Sequence, residues 1–220
     1  MIEIRWDWIA GHLDDVAEKT GQHLQMLVIP MVAGFAIAFV LAVLAMRRPG
    51  TIGPVTAMTG LLYTIPSLAA FAVLVPITGL TLWTAIIPLT TYTLLILYVN
   101  TVAGLRSVPT EVNEAADAMG YTRSARLFRI QLPLALPLIM AGVRVAAVTT
   151  IGLVTVSAIV GGNRFGGLGQ FITEGLQTDF DTKIYLGAMG SVVLAFVVDG
   201  LLVGLQRLLT PWTRAQAERA

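Results

Sequence analysis

The chain alternates long apolar stretches with short polar ones, and the apolar stretches have the length of a bilayer rather than of a soluble core. Five of them, at about 24–46, 53–75, 82–102, 134–160 and 184–209, each approach the roughly 20 residues a helix needs to cross hydrocarbon. The pattern predicts an all-α polytopic membrane protein with five transmembrane helices. The second stretch is interrupted at Ile65-Pro66-Ser67. Proline removes a backbone donor and bends a membrane helix where neighbours satisfy the freed carbonyl. A kink lining a passage and a kink serving packing alone are both open there.

Residues 1–23 follow a different rule. Trp6, Ile9, Leu13 and Val16 recur at helical spacing, while Glu3, Asp7, Asp14, Asp15 and Glu18 occupy other faces. A secretory signal starts basic and then turns apolar, so this is not one. The pattern predicts a short amphipathic helix lying on the outer face of the membrane, with tryptophans at the headgroups. Trp6, Trp8, Trp83 and Trp212 all fall near span ends.

The longest polar interval, 103–133, predicts a short helix, a glycine turn and a second short helix with basic residues. Thr110 is placed to cap the first, Glu111 suits the positive end of its dipole, and Gly120 is placed to close it in a left-handed conformation. Glu114-Ala115-Ala116 gives that helix a flat face with one acid, a shape for a partner's groove rather than for chemistry. Arg123, Arg126 and Arg129 repeat every three residues along the second helix. Contact with a partner or headgroups competes there with plain topology.

Charge sets the orientation. With the N-terminus outside, Arg47, Arg48, Arg106, Arg123, Arg126, Arg129, Arg207, Arg214 and Arg219 are cytoplasmic, and Arg5, Lys19, Arg164 and Lys183 are outside. This obeys the positive-inside rule, and it puts 103–133 and the tail 213–220 in the cytoplasm. Composition agrees: of 220 residues 56% are hydrophobic and 12% charged, against roughly 25% charged in soluble domains. The length leaves no room for an attached ATPase or receptor domain, so both are expected on other chains. Zero cysteines exclude disulfides and thiol chemistry. His12 and His23 lack metal-ligand spacing and read as surface residues.

Two ionisable residues sit inside spans, Arg144 and Asp199. Each is costly in hydrocarbon unless paired or hydrated, and their depths match. They are expected to meet as an ion pair or to share a polar cavity; a proton relay is the alternative. Gly187, Ser191 and Ala195, then Gly200 and Gly204, make a small-residue face suited to close helix packing. The outer loop 161–182 holds Arg164, Phe165, Gly166 and Gly167, followed by an amphipathic segment around Gln170–Gln177. It reads as a gate at the outer mouth, a docking surface for a solute receptor, or a re-entrant connector.

Glu114-Ala115-Ala116, then Gly120, then Ile130-x-Leu132-Pro133, resembles the coupling loop of permease subunits in binding-protein-dependent ABC importers. The resemblance implies a type I importer permease of MetI-like fold. It further implies a bacterial plasma-membrane location and a loop that docks in a cleft of a separate ATPase dimer. ATP and Mg would belong to that ATPase, with no cofactor or catalysis on this chain. The runs Leu62–Leu68, Asn100–Arg106, Gly166–Gly169 and Arg207–Pro211 resemble a narrower group, permeases of osmoprotectant importers for glycine betaine, carnitine or choline. Asn163-Arg164-Phe165 departs from that group's glycine-rich outer loop. A second permease, identical or homologous, and an extracytoplasmic solute-binding protein are the further partners implied. A methionine-type importer is the alternative cargo, and a secondary transporter or channel the alternative class.

Overall fold

The computed structural model describes residues 4–212, and within them every regular element is helical. The ends of the N-terminal and C-terminal segments, including the tail 213–220 with Arg214 and Arg219, lie outside the described residues.

A short helix, α1 (Trp6–Gly11), breaks at His12 and is followed by α2 (Leu13–Arg47), 35 residues long. At 1.5 Å per residue α2 reaches roughly 50 Å, well beyond the ~30 Å hydrocarbon core. This corrects the expected boundary near residue 23. Residues 13–23 are the projecting end of the first long helix, not a separate helix lying in the plane. Alanines at 38, 42 and 45 lie along one side of α2 and are buried against Leu97, Tyr98 and Val102.

The second apolar stretch is two helices, α3 (Ile52–Thr64) and α4 (Ser67–Thr78), bent by 85° from each other. A proline pushes the residue before it out of the helical region. Ile65 and Pro66 are accordingly both extended, with ψ of 127° and 129°. The break is therefore much sharper than the expected kink, and neither half is long enough to span alone. Tyr92 Oη donates to the freed Ile65 carbonyl at 2.6 Å.

The core centres on α5 (Leu82–Arg106), with α2 and α8 (Leu132–Gly161) packed on it most extensively. α8 approaches α5 closely because residue 142 is glycine; a Cβ there would lie 2.4 Å from Asn100 Cβ. Between α5 and α8 come α6 (Thr110–Ala118), α7 (Arg123–Arg126) and a π-helical turn, Leu127–Gln131. The second short helix of the polar interval is thus not free-standing. It runs through the π turn into α8, giving one helical path from Arg123 to Gly161. Pro133 has no N–H to return to the preceding turn, and the backbone relaxes locally into the wider π geometry.

After α8 come α9 (Gly169–Thr178) and α10 (Asp181–Leu209). α10 packs mainly on α9 and α8 and leaves one side uncovered, with Phe196 76% and Leu201 69% exposed. Four described helical segments are long and apolar enough to cross a membrane, and a fifth if α3 and α4 count as one broken span.

Candidate functional site

At one end of the bundle, α6 lies across the loop between α5 and α8. Thr110 is its first residue rather than its cap; Pro109 occupies the cap position and offers no side-chain acceptor. Glu111, Glu114, Ala115 and Ala118 fall on one face and are all exposed, while Ala116 is fully buried. Gly120, with φ of +78°, turns the chain after α6, a conformation that glycine adopts without steric cost. Tyr121 N–H then bonds back to the Ala116 carbonyl at 3.1 Å.

Two side-chain contacts fix α6 on the base of α8. Gln131 Nε2 donates to Asn113 Oδ1 at 2.7 Å, and Arg126 pairs with Asp117. Neither contact was legible in the motif. Ile130, Leu132 and Pro133, the second half of that motif, are half-buried in the root of α8. They support the loop instead of sharing its exposed face. The three arginines divide as well. Arg126 turns inward, while Arg123 and Arg129 stay exposed.

Near the middle of α8 and α10, Arg144 and Asp199 form a bidentate pair, Nε to Oδ1 at 2.8 Å and Nη2 to Oδ2 at 2.9 Å. About a third of each side chain is exposed (36% and 31%), facing a groove of about 670 Å³ whose other walls are mostly apolar.

The opposite end is closed by the 161–182 segment. Phe165 is fully buried, in a cluster with Met26, Phe71, Leu89 and Val154. Gly166 and Gly167 are buried too, with φ of 129° and 54°. These three residues are taken up by the chain's own packing and present no surface to a receptor; of the gate or receptor contact expected at 164–167, only Arg164 lies at the surface. Asn163 and Arg164 remain at the surface. The segment is pinned by α2. Gly167 N–H donates to Gln22 Oε1 at 2.9 Å, and Gln22 Nε2 donates to the Arg164 carbonyl at 3.1 Å.

His23 is a second pin, and its burial corrects the reading of it as a surface residue. Leu168 N–H donates to its Nδ1 at 3.3 Å, so the ring proton sits on Nε2, which faces the Ile151 carbonyl at 3.2 Å. A lone histidine between Gln22 and Leu24 gives no spacing signal for such a role. Trp8 also turns inward: it stacks on His12 at 4.1 Å and meets the Phe180 ring edge at 5.4 Å, with Lys183 over its face. Trp8 is therefore a packing residue, whereas Trp6 is 72% exposed.

A multi-pass helical bundle with one side of α10 uncovered and a short acidic helix presented at one end has the form of a membrane subunit that works with other chains. The chain belongs to the family of binding-protein-dependent transport system inner membrane components, whose sequence model matches residues 34–214. It is 34% identical to the glycine betaine/carnitine/choline transport system permease protein OpuCB of Bacillus subtilis, over 88% of each chain. It is 34% identical to the osmoprotectant import permease protein OsmW of Salmonella typhimurium, over 92% of this chain and 94% of that one. It is 37% identical to the carnitine transport permease protein OpuCD of Listeria monocytogenes, over 89% of this chain and 87% of that one. The fold is similar to a subunit of the inward-facing MetNI methionine ABC transporter. The TM-score is 0.78 at 23% identity, covering 91% of this chain and 98% of that one. The chain is thus an ABC-importer permease of MetI-like fold, a non-catalytic subunit of the bacterial inner membrane.

Proposed function

We propose that this chain is the membrane passage of an ATP-driven importer for osmoprotectants such as glycine betaine, carnitine or choline. The exposed Glu114–Ala115 face of α6 is the surface that receives motion from the ATPase. That face is the observation on which the mechanism rests: it is acidic and smooth, and its helix is clamped through Asn113–Gln131 and Asp117–Arg126 to the helical segment that runs on into α8. A displacement of α6 is therefore delivered to a long helix rather than absorbed in the loop. The cargo class rests on the relatives, whose names agree across three genera. The likeness to the methionine transporter, at 23% identity, supports the fold and says nothing about cargo.

In this reading the chain has five spans, with α3–α4 as the broken second, an outer N-terminus and a cytoplasmic C-terminus. The excess of arginines at the α6 end supports that orientation. Two permeases, identical or homologous, sit on two ATPase subunits, and an extracytoplasmic solute-binding protein delivers the solute. ATP closes the ATPase dimer, α6 moves with its cleft, and the spans switch the passage from inward- to outward-facing. The chain contributes geometry, and ATP and Mg act on the partner.

The test is uptake of labelled glycine betaine in transporter-deficient cells expressing the chain with its partner subunits, with and without an ATPase-dead subunit. Uptake that requires the active ATPase and is competed by carnitine or choline supports the reading. Uptake of betaine that persists with the dead subunit overturns it.

A further inference from the structure

The groove beside α10 has an unusual composition for a surface between membrane helices. Its walls are mostly apolar, with Val145, Val148, Val192 and Phe196 beside the hydroxyl of Thr149, and its ionisable residues are Arg144 and Asp199. These two are bonded to each other through two guanidinium nitrogens, Nε and Nη2, yet about a third of each side chain faces the groove (36% and 31%). An ion pair near the middle of a span, opened to acyl chains to that extent, is expensive. An occupant with charges of its own lowers that cost. The volume, about 670 Å³, is far larger than a bridging water requires.

We propose that Arg144 and Asp199 form an exchangeable contact for a zwitterionic solute in transit, with Arg144 taking a carboxylate and Asp199 facing an ammonium. The proposal rests on the osmoprotectant reading above and adds a solute contact on the permease itself.

The chemistry of the groove favours this occupant. Arg144's planar fork already binds a carboxylate bidentately, the geometry for which arginine is suited and lysine is not. Phe196 stands one helical turn before Asp199 on α10, lines the same groove and is 76% exposed. An aromatic face beside a carboxylate is a site for a quaternary ammonium. The exchange also balances charge. The closed pair is neutral, a zwitterion is neutral, and after insertion each charge still has an opposite partner. A charge left without a partner inside a span is costly, and inserting a zwitterion avoids that cost. When the solute leaves, the pair recloses, so the contact holds its cargo only transiently, as a passage requires.

The experiment compares a zwitterion with a cation that lacks the carboxylate. The full complex is reconstituted in vesicles, and uptake of glycine betaine and of choline is measured at saturating solute and receptor. Arg144→Lys keeps the ion pair but loses the fork. It should slow glycine betaine about tenfold, the scale of one charge-assisted hydrogen bond, and leave choline within about twofold. Phe196→Ala should slow both solutes. The double variant Arg144→Met with Asp199→Leu removes the pair without stranding a charge and should lose uptake of glycine betaine.

Equal slowing of both solutes by Arg144→Lys overturns the proposal, because a merely structural pair affects them alike. So does betaine uptake at the parent rate in the double variant. If the parent complex assembles and hydrolyses ATP but moves neither solute, the osmoprotectant reading fails, and this site with it. If the parent moves both and only the variants behave as parent, the site alone fails.

Discussion

The two ends of this bundle are built in opposite ways. At the α9 end, the residues between α8 and α10 are driven into the protein: Phe165 is fully buried, and Gly166 and Gly167 take conformations that side chains rarely adopt. At the α6 end the corresponding loop buries Ala116 and keeps one face outward. It is tied down by side-chain contacts at Asn113 and Asp117, and it presents Glu114, Ala115 and Met119 to the outside. The α9 end uses its unusual residues for internal fit, and the α6 end leaves its characteristic residues exposed. A glycine-rich motif and an alanine-rich motif are equally conspicuous in the sequence, yet the first marks packing and the second marks a surface.

The contrast can be broken by substitution. The largest effect is expected for Gly166→Val. A Cβ there would lie 2.4 Å from Ala158 Cβ and 2.5 Å from its Cα, a backbone obstacle that cannot swing aside, at a positive φ that valine resists. Loss of about 3 kcal/mol or more is expected, read as failure to accumulate in the membrane or as a large fall in the thermal unfolding midpoint. Glu114→Arg comes next in effect and is opposite in kind. ATP-dependent uptake should be lost while unfolding shifts by no more than about 0.5 kcal/mol, as for an exposed site. If it destabilised the chain as Gly166→Val does, the two ends would not differ in the way described. The smallest effect is expected for Asn113→Ala, which removes one side of the Gln131 contact. About 1 kcal/mol of local stability is at stake, read as faster hydrogen exchange in α6 with α9 unchanged.

Much of this architecture was legible in the sequence because hydrophobic length is a strong signal. The stretches at 24–46, 82–102, 134–160 and 184–209 each fall within a long helix. What escaped was set by tertiary contact. Hydropathy ends a span where polar residues begin, but α2 continues through Glu18 and Gln22 because its projecting turns pack on the 161–182 segment. Pro66 announced a bend without its size, since the 85° angle depends on Ile65 being extended and on Tyr92 holding its carbonyl. His23 looked like a surface residue because a neutral, doubly bonded histidine has no local signature. Arg144 and Asp199 were paired in advance by depth alone. Their bidentate geometry and the groove beside them are set by how α8 and α10 pack.

The most direct test of the central claim uses the absence of cysteine from the chain, so that a single introduced thiol is unique. Ala115→Cys, on the exposed face of α6, and Ala125→Cys, half-buried on α7, would each be labelled with a short thiol-reactive photo-cross-linker in the assembled complex. Cross-linking of residue 115 to the ATPase subunit, changing in yield when ATP is bound, with residue 125 giving far less product, is the predicted result. An assembled, transporting complex in which residue 115 never reaches the ATPase would contradict the assignment of α6 as the coupling surface.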